Sequence, residues 1–123
     1  MASLLVVDDE PAVRQMATRY LREAGYSVVE AADGVQAWEY FQREPTRVDA
    51  VLADVVMPRM PGTELAARLR RARVDLPIVL MSGYTPADLV ARGLEASLGE
   101  LLTKPFSQET LLAAVRRALG ALQ

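Results

Sequence analysis

The sequence predicts an α/β fold in which helices cover both faces of an open, doubly wound parallel sheet. Three observations carry this expectation. Short apolar runs alternate with amphipathic stretches of helical period five times along the 123 residues, the pattern of strands joined by right-handed helical crossovers. Runs such as Leu4–Val7 and Ile78–Met81 are continuously apolar rather than alternating, as strands covered on both faces are. Four of the runs then end in polar groups: Asp8-Asp9-Glu10, Asp54, Ser82-Gly83, and Lys104 after Leu101-Leu102-Thr103. In an open parallel sheet the carboxyl ends of the strands line one crevice, where ligands bind. Carboxylates, a hydroxyl and an ammonium are therefore expected to converge there. Asp54 is the clearest case, because it ends the apolar run Val51-Leu52-Ala53 and would be costly to bury without a partner or a task.

In chain order, Leu4–Val7 is the first strand and Pro11 opens the first helix. That helix carries Val13, Met16, Ala17, Tyr20, Leu21 and Ala24 on one face until Gly25 stops it. Ser27–Ala31 is the second strand. Asp33-Gly34 turns the chain into a helix directing Ala37, Trp38 and Phe41 inward, and Pro45 lies beyond its end. Val48–Ala53 is the third strand. The segment from Met57 to Gly62 is too rich in breakers to be helical, and Thr63 is expected to cap a helix buried along Leu65, Leu69 and Ala72. Leu76-Pro77 introduces the fourth strand, Ile78–Met81. Thr85-Pro86 reads as a cap with proline at the first helical position, starting a short helix to Arg92. The stretch from Gly93 to Gly99 has no clear pattern. Glu100–Thr103 is the fifth strand, and Ser107 with Thr110 opens a last helix striped by Leu111, Leu112, Val115, Ala118, Leu119 and Leu122.

Composition narrows the function. A net charge of −2 leaves no basic footprint, so direct nucleic-acid binding is not expected. No apolar run approaches the roughly 20 residues of a membrane span, and the absence of cysteine fits a cytoplasmic setting. The length predicts one domain over residues 1–123, with no output domain in this chain. With no histidine, an imidazole base or phosphohistidine must come from another molecule. Lys104 is the single lysine beside thirteen arginines. Either a compact ammonium is wanted at that strand end, or its place is chance.

With these residues in place, the chain resembles the receiver domain of two-component response regulators over essentially its whole length. The motifs are Asp8-Asp9, then Asp54 with Met57-Pro58 and Gly62, then Ser82-Gly83, and finally Lys104-Pro105-Phe106, in order and each after its own strand. In wording, Met81-Ser82-Gly83-Tyr84 and Leu102-Thr103-Lys104-Pro105-Phe106 are most similar to receivers of hybrid sensor histidine kinases. The resemblance implies a flavodoxin-like (βα)5 fold with strand order 2-1-3-4-5. It implies Mg²⁺-dependent transfer of a phosphoryl group onto Asp54 from a histidine kinase or histidine phosphotransfer protein. Asp9 and Asp54 would ligate the ion directly, Asp8 largely through water, and the Val56 carbonyl would complete the protein share. Lys104 would reach Asp54 and then a phosphoryl oxygen, Ser82 would bond another, and the Lys104–Pro105 bond would be cis. Signalling would follow from altered binding of a downstream protein partner or output domain. A homodimer would be sought on the face made by Ala87–Arg92, the fifth strand and the last helix.

Two positions depart from the family pattern. The strand-five position that often holds a switching aromatic is Leu101, so signalling is expected to run through repacking after Ser82. Tyr84 either takes the aromatic's part or packs as a loop aromatic. The Val56 side chain cannot hydrogen-bond a water and Tyr84 flanks the other side of the expected attack path; neither orients a hydrolytic water well, so a phosphorylated Asp54 is expected to be long-lived. Three other readings compete. A Mg²⁺-dependent phosphatase would use Asp8 as its nucleophile. A flavodoxin would need a Ser/Thr/Gly-rich phosphate loop where this chain has acids. A receiver fold could also work as a binding module without phosphorylation.

Overall fold

The apolar runs become five strands: β1 (Ser3–Val7), β2 (Ser27–Ala31), β3 (Ala50–Asp54), β4 (Ile78–Ser82) and β5 (Glu100–Thr103). They alternate with α1 (Pro11–Glu23), α2 (Gly34–Arg43), α3 (Gly62–Ala72), α4 (Pro86–Ala91) and α5 (Gln108–Gly120). A 3₁₀ turn, Pro45–Arg47, follows α2. The structure is a computed structural model that describes residues 2–93 and 100–120. All strand pairs are parallel and the order is β2-β1-β3-β4-β5, as expected for the flavodoxin-like fold.

The sheet divides the core into two layers. Leu5, Val7, Val51, Ala53, Ile78 and Leu80 point to the face that also buries Phe41, Leu65, Leu69 and Leu89. Leu4, Val6, Ala50, Leu52, Val79 and Met81 point to the other, against Leu21, Leu111, Ala114 and Val115. Successive strand residues thus enter opposite layers, and this is why their runs are apolar without alternation. Phe106 is buried in the second layer.

Most helix starts follow local signals. The Asp33 carboxylate accepts from the Gln36 N–H at 2.9 Å, capping α2. Thr85 and Asp88 form a reciprocal capping box on α4. The Ser107 hydroxyl accepts from the Thr110 N–H at 3.1 Å, ahead of α5. Gly25, with φ 99°, follows the end of α1 in a left-handed conformation suited to glycine.

Three expectations are corrected. Ala72, at the end of α3, is exposed, and the buried face runs through Leu65, Ala66 and Leu69 instead. β3 starts at Ala50 rather than Val48. Asp49 turns its carboxylate to the Ser3 N–H at 2.7 Å, and the Val48 carbonyl accepts from the Arg73 guanidinium, so the ladder begins later. Thr63 is the second residue of α3 and not its cap. The helix start is fixed instead by the Gly62 N–H donating to the Val55 carbonyl at 2.9 Å. Most of the stretch Gly93–Gly99, and Leu122, lie outside the described residues.

Candidate phosphoacceptor and metal site

The register of the sheet builds the site. Asp54 pairs with Met81 and Ser82 with Thr103, so Asp54, Ser82 and Lys104 step along the rim at the carboxyl ends of β3, β4 and β5. Asp8 and Asp9 arrive from the end of β1. The predicted convergence is present: a pocket of about 370 Å³ is lined by Asp9, Glu10, Asp54, Val56, Ser82, Gly83, Tyr84 and Lys104.

Asp8 is fully buried and both its oxygens are engaged. Oδ1 accepts from the Glu10 N–H at 2.9 Å, and Oδ2 accepts from Lys104 Nζ at 3.0 Å. The Asp8 carbonyl accepts from Arg14, which also pairs with Glu30 at 3.1 Å, and so the turn into α1 is held in place. Lys104 reaches Asp54 as well, with Nζ 3.4 Å from Oδ2. The ammonium therefore bridges two carboxylates and lies closer to Asp8 than to Asp54.

Oxygens of Asp8, Asp9 and Asp54 lie within 4.8 Å of one another. Such crowding of hard, anionic oxygens suits a divalent cation of the Mg²⁺ or Ca²⁺ kind. Asp8 is buried and each of its oxygens already accepts one hydrogen bond, so the exposed Asp9 and the pocket-facing Asp54 are the more accessible ligands for a cation. Burial pushes the Asp54 carboxyl up to about 6; the Lys104 charge pulls the other way, and Asp8 and Asp9 add to the rise. Burial disfavours the Lys104 ammonium, but its hydrogen bond to Asp8 and the Asp54 charge outweigh this and raise it above the usual lysine value.

Ser82 is buried, and its Oγ accepts from the Tyr84 N–H at 2.9 Å, leaving the hydroxyl proton to donate. The Tyr84 ring carries the Arg92 guanidinium 4.1 Å from its centroid. Tyr84 and Leu101 are both half-buried against the same core layer. Val56 exposes 48% of its surface beside the pocket. The Lys104–Pro105 peptide is cis.

Some supporting residues had no signal in the sequence. Arg59 pairs with Asp33 across 26 residues of chain, and Arg14 sits in α1, whose pattern marks only its apolar face. Gly62, already part of the sequence motif, packs so closely on β3 that a Cβ there would lie 2.0 Å from the Asp54 carbonyl oxygen.

Comparison with known proteins agrees with this geometry. Residues 4–116 match the family described as the response regulator receiver domain. The chain is 42% identical over 116 residues to "Response regulator MprA" of Mycobacterium leprae, covering 94% of this chain and 50% of that protein. It is 42% identical over 120 residues to "Sensor kinase CckA" of Brucella abortus, covering 96% of this chain and 12% of the kinase. The chain thus spans half or less of these curated relatives. Among solved structures, the response regulator TrrA of Thermotoga maritima, in complex with Mg(2+)-BeF, is 31% identical with a TM-score of 0.81, over 97% of this chain and all of that one. Fold, acid cluster and sequence relatives agree, and the chain belongs to the response regulator receiver domain family of two-component systems.

Proposed function

We propose that this receiver domain takes a phosphoryl group from the phosphohistidine of a histidine kinase or histidine phosphotransfer protein onto Asp54. An Asp54 carboxylate oxygen attacks phosphorus, and the bond from phosphorus to the donor imidazole breaks with its electron pair leaving on nitrogen. Asp9, Asp54 and the Val56 carbonyl are the residues that would hold Mg²⁺, with Asp8 acting through water. The ion would offset the repulsion between an anionic nucleophile and an anionic phosphoryl group. Lys104 carries its charge from Asp54 to a phosphoryl oxygen, and the free Ser82 proton goes to another. Phosphoryl transfer needs mainly positioning and charge stabilisation, and this set supplies both.

One observation carries the reading: Asp54 faces the pocket beside the only lysine, while Asp8 is sealed by two hydrogen bonds. The same observation speaks against a phosphatase with Asp8 as nucleophile. Phosphorylation repacks the segment after Ser82, including Tyr84 and α4, and so alters binding of a downstream protein partner or output domain. The chain catalyses its own phosphorylation and dephosphorylation, works in the cytoplasm, and functions as one receiver domain over residues 1–123. If it pairs with a second copy, it does so on the face of α4, β5 and α5.

The test is intact mass after incubation with acetyl phosphate, with and without Mg²⁺, for the wild type and Asp54→Asn. A single phosphoryl adduct that needs the metal and vanishes in the variant is expected. An adduct retained by Asp54→Asn, or none even with a competent kinase, would sink the proposal.

A further inference from the structure

We infer that Arg59 and Asp33 are positioning residues that hold the loop between β3 and α3, and thereby set the affinity of the acid pocket for its divalent cation. The inference rests on the function proposed above, because it concerns the Val56 carbonyl as a ligand. That loop is tied at its neck, where the Val55 N–H donates to Met81 and the Gly62 N–H donates to Val55, each at 2.9 Å. Between those bonds, the Val56 side chain is about half exposed. Its neighbours Val55 and Met57 are both buried in the core, and the rest of the loop from Pro58 to Pro61 is held by contacts further along.

Two contacts there reach α2. Met60 is buried and its backbone lies on the first helical residue: a Cβ at Gly34 would come 2.6 Å from the Met60 carbonyl oxygen. Beside it, the Arg59 guanidinium pairs with Asp33 Oδ2, while Oδ1 of the same carboxylate accepts from Gln36 to cap α2. One buried carboxylate therefore starts a helix and holds the apex of the loop.

The backbone of Arg59 makes the arrangement hard to read as incidental. Its φ of 68° places it in the left-handed region, alone among the described non-glycine residues. Side chains with a Cβ persist there only when their surroundings over-determine the conformation. The turn is closed by the Met60 N–H donating to the Pro58 carbonyl at 2.8 Å; glycine would adopt it without strain, whereas arginine there bears a conformational cost and adds the side-chain contact to Asp33. The Asp33 carboxyl is held below its ordinary value first by the Gln36 hydrogen bond, with burial opposing and Arg59 assisting. The carboxylate is thus charged and available to the guanidinium.

The experiment is calorimetric titration of Mg²⁺ into the unphosphorylated wild type, Asp33→Asn, Arg59→Gly and Arg59→Lys. It is paired with amide hydrogen exchange across the loop and urea unfolding. Asparagine still caps a helix and glycine relieves the strained φ, so both variants should stay folded. Replacing partners that orient metal ligands commonly weakens affinity by about tenfold or more. Because one backbone carbonyl is affected here, Kd is expected to rise roughly three- to tenfold in Asp33→Asn and Arg59→Gly, with faster loop exchange. Arg59→Lys should recover part of the loss, and Asp33→Asn with Arg59→Gly should be no worse than either alone. An unchanged Kd in both folded single variants, with the wild type binding Mg²⁺, overturns the inference and leaves the proposed function standing. A wild type that binds no Mg²⁺ removes both.

Discussion

Asp54→Asn removes one negative charge from a site where burial and two further carboxylates oppose it, while keeping the side chain's shape. The native state raises the Asp54 carboxyl from 3.8 to about 6. The folded protein therefore binds that proton more tightly than the unfolded chain, and stability falls as pH rises between these values. Above about pH 6 the loss is complete. At 1.36 kcal/mol per unit it amounts to roughly 3 kcal/mol. Asparagine mimics the neutral acid, so at pH 7.5 and without metal the variant should be more stable than the wild type by about 3 kcal/mol. For a chain of this length that is roughly 10 °C in Tm. At pH 4 the advantage should shrink below about 1 kcal/mol, because the wild type is then largely protonated as well. Urea unfolding in EDTA at both pH values measures the difference directly. Saturating Mg²⁺ should narrow the gap at pH 7.5, since a ligand present at a hundred times its Kd stabilises the native state by about 2.7 kcal/mol. An Asp54→Asn protein no more stable than the wild type at pH 7.5, or an advantage that persists undiminished at pH 4, would refute the reasoning.

Other perturbations test other parts of the site. Gly62→Ala puts a Cβ where the Asp54 carbonyl oxygen stands 2.0 Å away; chemical denaturation should show a loss of about 2–4 kcal/mol, within the range of overpacking and backbone strain. Val56→Asn supplies a group able to orient water beside Asp54. It should shorten the lifetime of the phosphorylated form several-fold in a phosphate-release assay, and an unchanged rate would show that Val56 is not what protects it. NMR shifts on phosphorylation should concentrate in the run from Ser82 through α4, where Tyr84 meets Arg92; changes confined to β5 around Leu101 would contradict that route.

The fold was legible because strand burial is written into composition: every described position of β3 and β4 is buried, and continuous apolar runs admit few other readings. The convergence of Asp8, Asp9, Asp54, Ser82 and Lys104 at one rim was legible because each follows or ends such a run. What escaped depends on contacts between distant segments. The start of α3 is set by Val55 and Asp54 packing on Gly62, so Thr63, a good local cap, is left one step inside the helix. β3 loses its first two expected residues to Arg73 and Ser3, neither of which is near them in sequence. Arg59 sat in a run of turn-forming residues with nothing to mark it, and its partner Asp33 looked sufficient as part of a turn. Lys104 ends a strand at the pocket, but its nearer partner Asp8 depends on side-chain reach past two intervening strands.

The bridging ammonium has one more consequence, for chemical probing. Apart from the amino terminus, Lys104 is the only primary amine the chain offers to an acylating reagent. It is mostly shielded, with 16% of its side chain exposed, and its raised basicity keeps it in the unreactive protonated form. Amine-directed labelling read at this side chain, apart from the amino terminus, would then report on a single location and stay slow while both carboxylates hold the ammonium. Once a modification at Asp54 changes that grip, the altered labelling rate would be a signal with no background from other side chains.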